Sequence, residues 1–343
     1  MQAASAYHHR PGIARILGRF NGLFRALAWI GAYTGWVLAV RLLVLTLITY
    51  FVSSGATAGR PIRFEDISEA ISANELSLLG FSALLFVLFV KLASPIGAIS
   101  WREVFSPERF EERFVPGFFH GALVASGLLL AFLLSGLYRY LGLVLTPAEL
   151  PMALPGIGLR ALALGALVYC EEYIFRQRIT AHLRAWNESQ TLSPRISRYA
   201  DAFAIVATAV AYAEIKILQI DAELGWMHLA TLFLISVALS LRTLADGDFA
   251  RGAGFWAAAL IVFNPLLSLP IFGSEFSGLL LVNYHSAAAA AGGSGDDTLS
   301  ATSRFFTGGA GGPLSSFAFQ LLLILDIARG ILRYRRANPI RTT

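Results

Sequence analysis

Residues 156–184 read GIGLRALALGALVYCEEYIFRQRITAHLR, and this stretch decides the fold. An apolar run long enough to belong to a bilayer-crossing helix, which takes about 20 residues, ends in the adjacent carboxylates Glu171 and Glu172. The whole chain shares that apolar character. Of its 343 residues 56% are hydrophobic and 14% charged, with a mean hydropathy of +0.63. An ordinary soluble domain carries roughly 25% charged residues. The deficit excludes a soluble enzyme, a disordered tail protein and a secreted disulfide scaffold. An all-α, polytopic helical membrane bundle remains.

Eight stretches have the length and polarity of membrane helices: 26–52, 76–97, 117–144, 156–184, 200–219, 225–244, 253–272 and 314–334. Lysine and arginine are distributed on alternate sides of them. Of the 27, 20 fall on the segments containing the two termini and every second loop. Only Arg60, Arg63 and Arg304 fall on the other side, and Arg41, Arg139, Arg160 and Lys216 lie within spans. The positive-inside rule therefore places both termini in the cytoplasm. No cleavable signal peptide is apparent, because arginines and histidines interrupt the first 25 residues. The segment 101–114, WREVFSPERFEERF, mixes apolar residues with dense charge and is expected to form an interfacial amphipathic helix. The external stretch 273–313, with its GGSGDD and GGAGG runs, is expected to be re-entrant or flexible. Three regions result: 1–150, with the first spans; 151–272, the core; and 273–343, an external loop with the final span.

Ionisable groups within spans are expensive and mark function by default. Glu172 and Arg176 are four apart on one helical face and can pair. Glu171 is offset by about 100° and is left to face something else. The alternative reading is that both glutamates merely close the cytoplasmic end of the helix. Depth arithmetic brings other groups to the same level. Glu171 lies 13 residues before Arg184, Lys216 lies 15 after Asp201, and Asn264 lies 13 after Arg251. At 1.5 Å per residue all three sit roughly 20 Å from the cytoplasmic boundary, so Glu171, Lys216 and Asn264 are expected to share one shell.

The run Glu171-Glu172-Tyr173-Ile174-Phe175-Arg176 resembles the EExxxR motif of the CAAX-protease and bacteriocin-processing family of intramembrane endopeptidases. The resemblance covers roughly residues 150–270. It implies a core in which the first glutamate, Glu171, activates water for peptide hydrolysis with the help of histidines on later helices, while Glu172 pairs with Arg176. In the family's second motif an aromatic residue precedes a histidine by four. Here Tyr212 takes the aromatic position and Lys216 the histidine position. In the third motif Phe263 or Asn264 stands where the other histidine is expected. Both histidines are thus replaced. A charged lysine offers three donors and no acceptor, repels a divalent cation, and can neutralise Glu171 instead of assisting it.

If the chain is active, Tyr212 and Asn264 would orient water or the oxyanion. If it is not, it binds a membrane-anchored or transmembrane polypeptide without cleaving it. A transporter is a third reading, motivated by Arg41 and Lys216 and weakened by the lack of visible inverted repeats. Membrane lipid is an expected partner and nucleic acid is not, since the arginines follow the inner loops instead of forming one basic face. No cofactor is expected, and no histidine spacing suggests a zinc site. Arg139 and Arg160 are expected to snorkel towards the outer boundary, and His182 to be solvated. The resemblance and the charge pattern together point to a bacterial cytoplasmic membrane.

Overall fold

The computed structural model describes residues 12–55, 75–93, 101–143, 150–190, 199–217, 226–269, 279–284, 305–308 and 312–337. They form a helical membrane bundle. Its main helices are α1 (Gly12–Gly55), α2 (Glu75–Ala93), α3 (Val115–Leu134), α4 (Leu150–Glu172), α5 (Thr180–Gln190), α6 (Ala200–Ile217), α7 (Trp226–Asp246), α8 (Ala250–Ile261) and α9 (Phe317–Ala337). Among the described residues, five continuous helical segments are long and apolar enough to cross a membrane: Phe20–Tyr50, Leu76–Ala93, Trp101–Leu134, Leu150–Asn187 and Trp226–Asp246. The other three expected spans are less clear-cut. The α6 helix carries Asp201, Glu214 and Lys216, α8 has only 12 residues before its geometry changes, and α9 holds Asp326, Arg329 and Arg333.

Two of these helices change pitch at their C-terminal ends. A π-helical turn, Tyr173–Ile179, joins α4 to α5 without a break, and another, Val262–Leu266, follows α8. The first brings residues five apart into register: Arg178 Nε donates to the Tyr173 hydroxyl at 2.7 Å, and Thr180 Oγ1 to the Phe175 carbonyl at 2.9 Å. In the second, Pro265 supplies no N–H, which favours local widening of the turn. Such turns are frequent at functional sites.

The amphipathic segment 101–114 is helical in pieces: turns at Trp101–Val104 and Pro107–Arg109, then a π turn Phe110–Phe114 that runs directly into α3. The expected span 117–144 stops early, because α3 ends at Leu134 and Gly136 adopts φ 73°, the left-handed geometry that terminates helices. Residues Tyr138–Leu143 (β1) then pair antiparallel with Leu280–Tyr284 (β2), with a register shift at Gly142. A short ribbon therefore joins the end of the first region to the third. Of the stretch 273–313, residues 279–284, 305–308 and 312–313 are described, including β2 and the start of a one-turn helix at Pro313; the rest lies outside the described residues.

Helix contacts fix the relative directions. Ideal Cβ atoms on Gly117 and Gly121 of α3 would fall 2.1 and 2.2 Å from the carbonyl oxygens of Arg251 and Phe255 on α8, so these two helices run parallel with their backbones touching. Small residues permit this approach. Both α7 and α9 also run together, with Gln320 bonding the Met227 carbonyl and Thr231, and Arg242 pairing with Asp326. The α4–α5 unit is antiparallel to α6: Arg184 pairs with Asp201 at 2.7 Å and Glu171 with Lys216.

Candidate functional site

The site forms where the π turn leaves α4. Glu171 is 4% exposed, and its Oε1 is approached from two sides. Lys216 Nζ of α6 donates to it at 2.5 Å, and the Tyr33 hydroxyl of α1 donates at 2.8 Å. Glu172 is buried and accepts from Arg176 Nε at 3.1 Å through Oε2. The Arg176 guanidinium lies 4.8 Å above the Tyr212 ring, a cation–π contact strengthened by desolvation. Aromatic edges lock this layer: Phe175 meets Tyr33 at 5.2 Å and Tyr212 at 5.1 Å, both T-shaped. The Tyr212 hydroxyl lies beside the indole of Trp256 on α8.

Five of the six residues singled out from sequence thus meet: Glu171, Glu172, Arg176, Tyr212 and Lys216. Asn264 does not. Its Oδ1 accepts from Arg160 Nε at 2.9 Å and its Nδ2 donates to the Leu269 carbonyl. Arg160 precedes Glu171 by eleven residues, about 16 Å along the helix, so Asn264 belongs to a separate layer. The same bond corrects the expectation for Arg160. It is 4% exposed and turns into the bundle instead of snorkelling. Nor is His182 solvated: it is half-buried in α5, with its Nε2 enclosed.

Tyr33 was not foreseen. It is fully buried, yet nothing around it in sequence distinguishes it from other aromatics of α1. A phenol facing the core within an apolar span must find an acceptor, which is the only signal it carries. Its packing places the first region of the chain inside the site.

The buried pair Glu172–Arg176 is joined by a single hydrogen bond. Glu172 Oε1 and both Arg176 Nη atoms are buried without a hydrogen-bond partner among the described residues. One acceptor and two donors in such a place are groups that an ordered water satisfies. On the face of α4 turned away from Glu171, an apolar cleft of about 780 Å³ lies between the 105–119 segment and α4, lined by Phe105, Phe110, Phe114, Phe118, Leu162 and Tyr169 among others. Tyr169, two residues before Glu171 and so about 200° round the helix from it, bonds the Val104 carbonyl through its hydroxyl at 2.5 Å. No cluster of three or more His, Cys, Asp or Glu side chains is arranged to hold a metal among the described residues. Comparison with protein-family models, with curated proteins and with solved structures gives no match.

Proposed function

We propose that the chain is a non-hydrolytic relative of the CAAX-protease and bacteriocin-processing endopeptidases, which binds a membrane-embedded or lipid-anchored polypeptide without cutting it. One observation carries this reading. The glutamate that would activate water has the same oxygen engaged by an ammonium at 2.5 Å and a phenol at 2.8 Å. A general base needs a lone pair aimed at the proton it takes; Oε1 has both of its own on two donors, which leaves Oε2 alone to meet a water. Lys216 supplies no acceptor in place of the family's histidine. Asn264, at the third motif, is committed to Arg160. The apolar cleft lined by Tyr169, on the opposite face of α4 from Glu171, offers a partner helix or lipid-anchored segment a place to dock.

The proposal includes eight crossings with both termini in the cytoplasm of a bacterial inner membrane. The helix directions support it, since alternate crossing makes α3 parallel to α8, α7 parallel to α9, and α4 antiparallel to α6, as their contacts require.

The test is photo-crosslinking in native membranes from a reactive residue placed at Phe110 or Phe118. Capture of a full-length membrane polypeptide by the otherwise wild-type protein is expected. Capture of a shortened polypeptide, restored to full length when Glu171→Gln is added, would make the protein a protease.

A further inference from the structure

A second polar cluster lies away from Glu171, where α3, α7 and α9 approach the end that the arginine pattern assigns to the cytoplasm. A small pocket there is lined by His120, Arg242, Asp246, Asp326, Arg329 and Arg333. Its carboxylates have their own counter-charges. Asp326 receives both Arg242 Nε at 2.8 Å and Arg242 Nη2 at 2.7 Å, and Asp246 faces Arg251 at 4.0 Å. Arg242 is further held with its guanidinium 3.8 Å from the Phe255 ring. Arg329 and Arg333 remain. Both are exposed, and neither has an ion-pair partner among the described residues. The pocket therefore presents two uncompensated guanidinium forks and the His120 imidazole.

The same helix says what kind of anion fits. Leu321, Leu325, Arg329 and Arg333 recur at intervals of four and form one ridge of α9. All four are exposed, Leu321 at 47% and Leu325 at 55%. On α3, Leu123 lies one turn beyond His120 and is 72% exposed. Apolar surface thus continues outward from the basic groups on both walls. A ligand that meets both has an anionic head and hydrocarbon tails. The pocket itself, about 20 Å³, holds one phosphate oxygen, which leaves the rest of the head between the two arginines. Gly330 keeps the floor tight: an added Cβ would lie 3.2 Å from the Leu241 side chain.

We infer that His120, Arg329 and Arg333 form a binding site for the phosphate of an anionic phospholipid in the cytoplasmic leaflet, with its acyl chains along Leu321, Leu325 and Leu123. Arginine suits this task because its planar fork gives two parallel bonds to phosphate oxygens. The site is independent of the Glu171 cluster and stands whether or not that cluster hydrolyses peptides.

The test follows thermal unfolding of the full-length protein in neutral detergent, titrated with short-chain phosphatidylglycerol, short-chain phosphatidylcholine or inorganic phosphate. Phosphatidylglycerol should stabilise at concentrations where the other two do not. Arg329→Gln/Arg333→Gln should weaken its apparent affinity by about thirtyfold, the worth of two arginines at an anionic lipid surface. Arg335→Gln/Arg336→Gln, which removes equal charge from exposed positions outside the pocket, should leave it within a few-fold. Should the first double variant fail to insert, Arg329→Lys/Arg333→Lys keeps the charge, and a clear loss of affinity is still expected. Equal stabilisation of the wild type by phosphatidylcholine overturns the site. Equal stabilisation by inorganic phosphate overturns its assignment to lipid, and equal loss in the two glutamine pairs reduces it to diffuse charge.

Discussion

Glu171 and Lys216 form an ion pair whose two members are unequally enclosed, with side chains 6% and 20% exposed. Removing one partner of a buried pair typically costs about 3–5 kcal/mol, and partial exposure puts Lys216→Met at the lower end. Adding Glu171→Gln to that variant should recover much of the loss, which a double-mutant cycle on unfolding in detergent would measure. Additive losses would deny the pairing. Tyr33→Phe removes one hydrogen bond to a charged acceptor and should cost about 1.5–3 kcal/mol in the same assay; an unchanged midpoint would detach Tyr33 from the site. The residue counts foresaw the meeting of Glu171 with Lys216 for a reason the structure makes plain. They started from Arg184 and Asp201, and those two residues are themselves paired at 2.7 Å. The count to Asn264 started from Arg251 on α8. That helix begins much closer to the Glu171 layer, because Phe249 packs on both Tyr169 and Tyr173. A charge at a helix end marks depth only when neighbouring ends are level.

Among the elements, α3 and α8 are held by glycine. Gly117, Gly121 and Gly254 each have a partner backbone atom about 2 Å from where a Cβ would stand, whereas Gly127 on the same α3 has nothing within 4 Å. Overpacking of this kind costs about 1–3 kcal/mol and more where backbone must move. Gly121→Ala should therefore lower the unfolding midpoint sharply while Gly127→Ala leaves it unchanged or raises it. Equal effects would mean that the two helices do not touch there. Sequence showed where apolar helices lie, since hydropathy reports burial directly. It missed the π turn at Tyr173–Ile179 and the β1–β2 ribbon. A π turn keeps a helix's apolar pattern over its short length, and residues 138–143 and 280–284 acquire strand geometry by pairing across more than a hundred residues.

For the whole molecule, the proposed topology rests on the arginine pattern, and the relative helix directions agree with it. The α1 helix has 44 residues, about 66 Å, against roughly 30 Å of hydrocarbon. Its early turns pass beside α5, where a Cβ on Gly22 would lie 2.7 Å from the His182 carbonyl oxygen. The bundle therefore extends beyond the bilayer on that side. Cys170 is buried and is the single cysteine of the chain, so engineered cysteines report cleanly. A cysteine at Asp296 should react with an impermeant reagent added outside, and one at Arg195 should not; the reverse pattern would invert the topology. The central claim, that Glu171 is neutralised and does not activate water, is tested most directly by mapping polypeptide termini across the membranes of cells carrying wild-type protein or Glu171→Gln at matched levels. The account predicts the same set of termini in both. New termini that appear with the wild type and vanish with Glu171→Gln would contradict it.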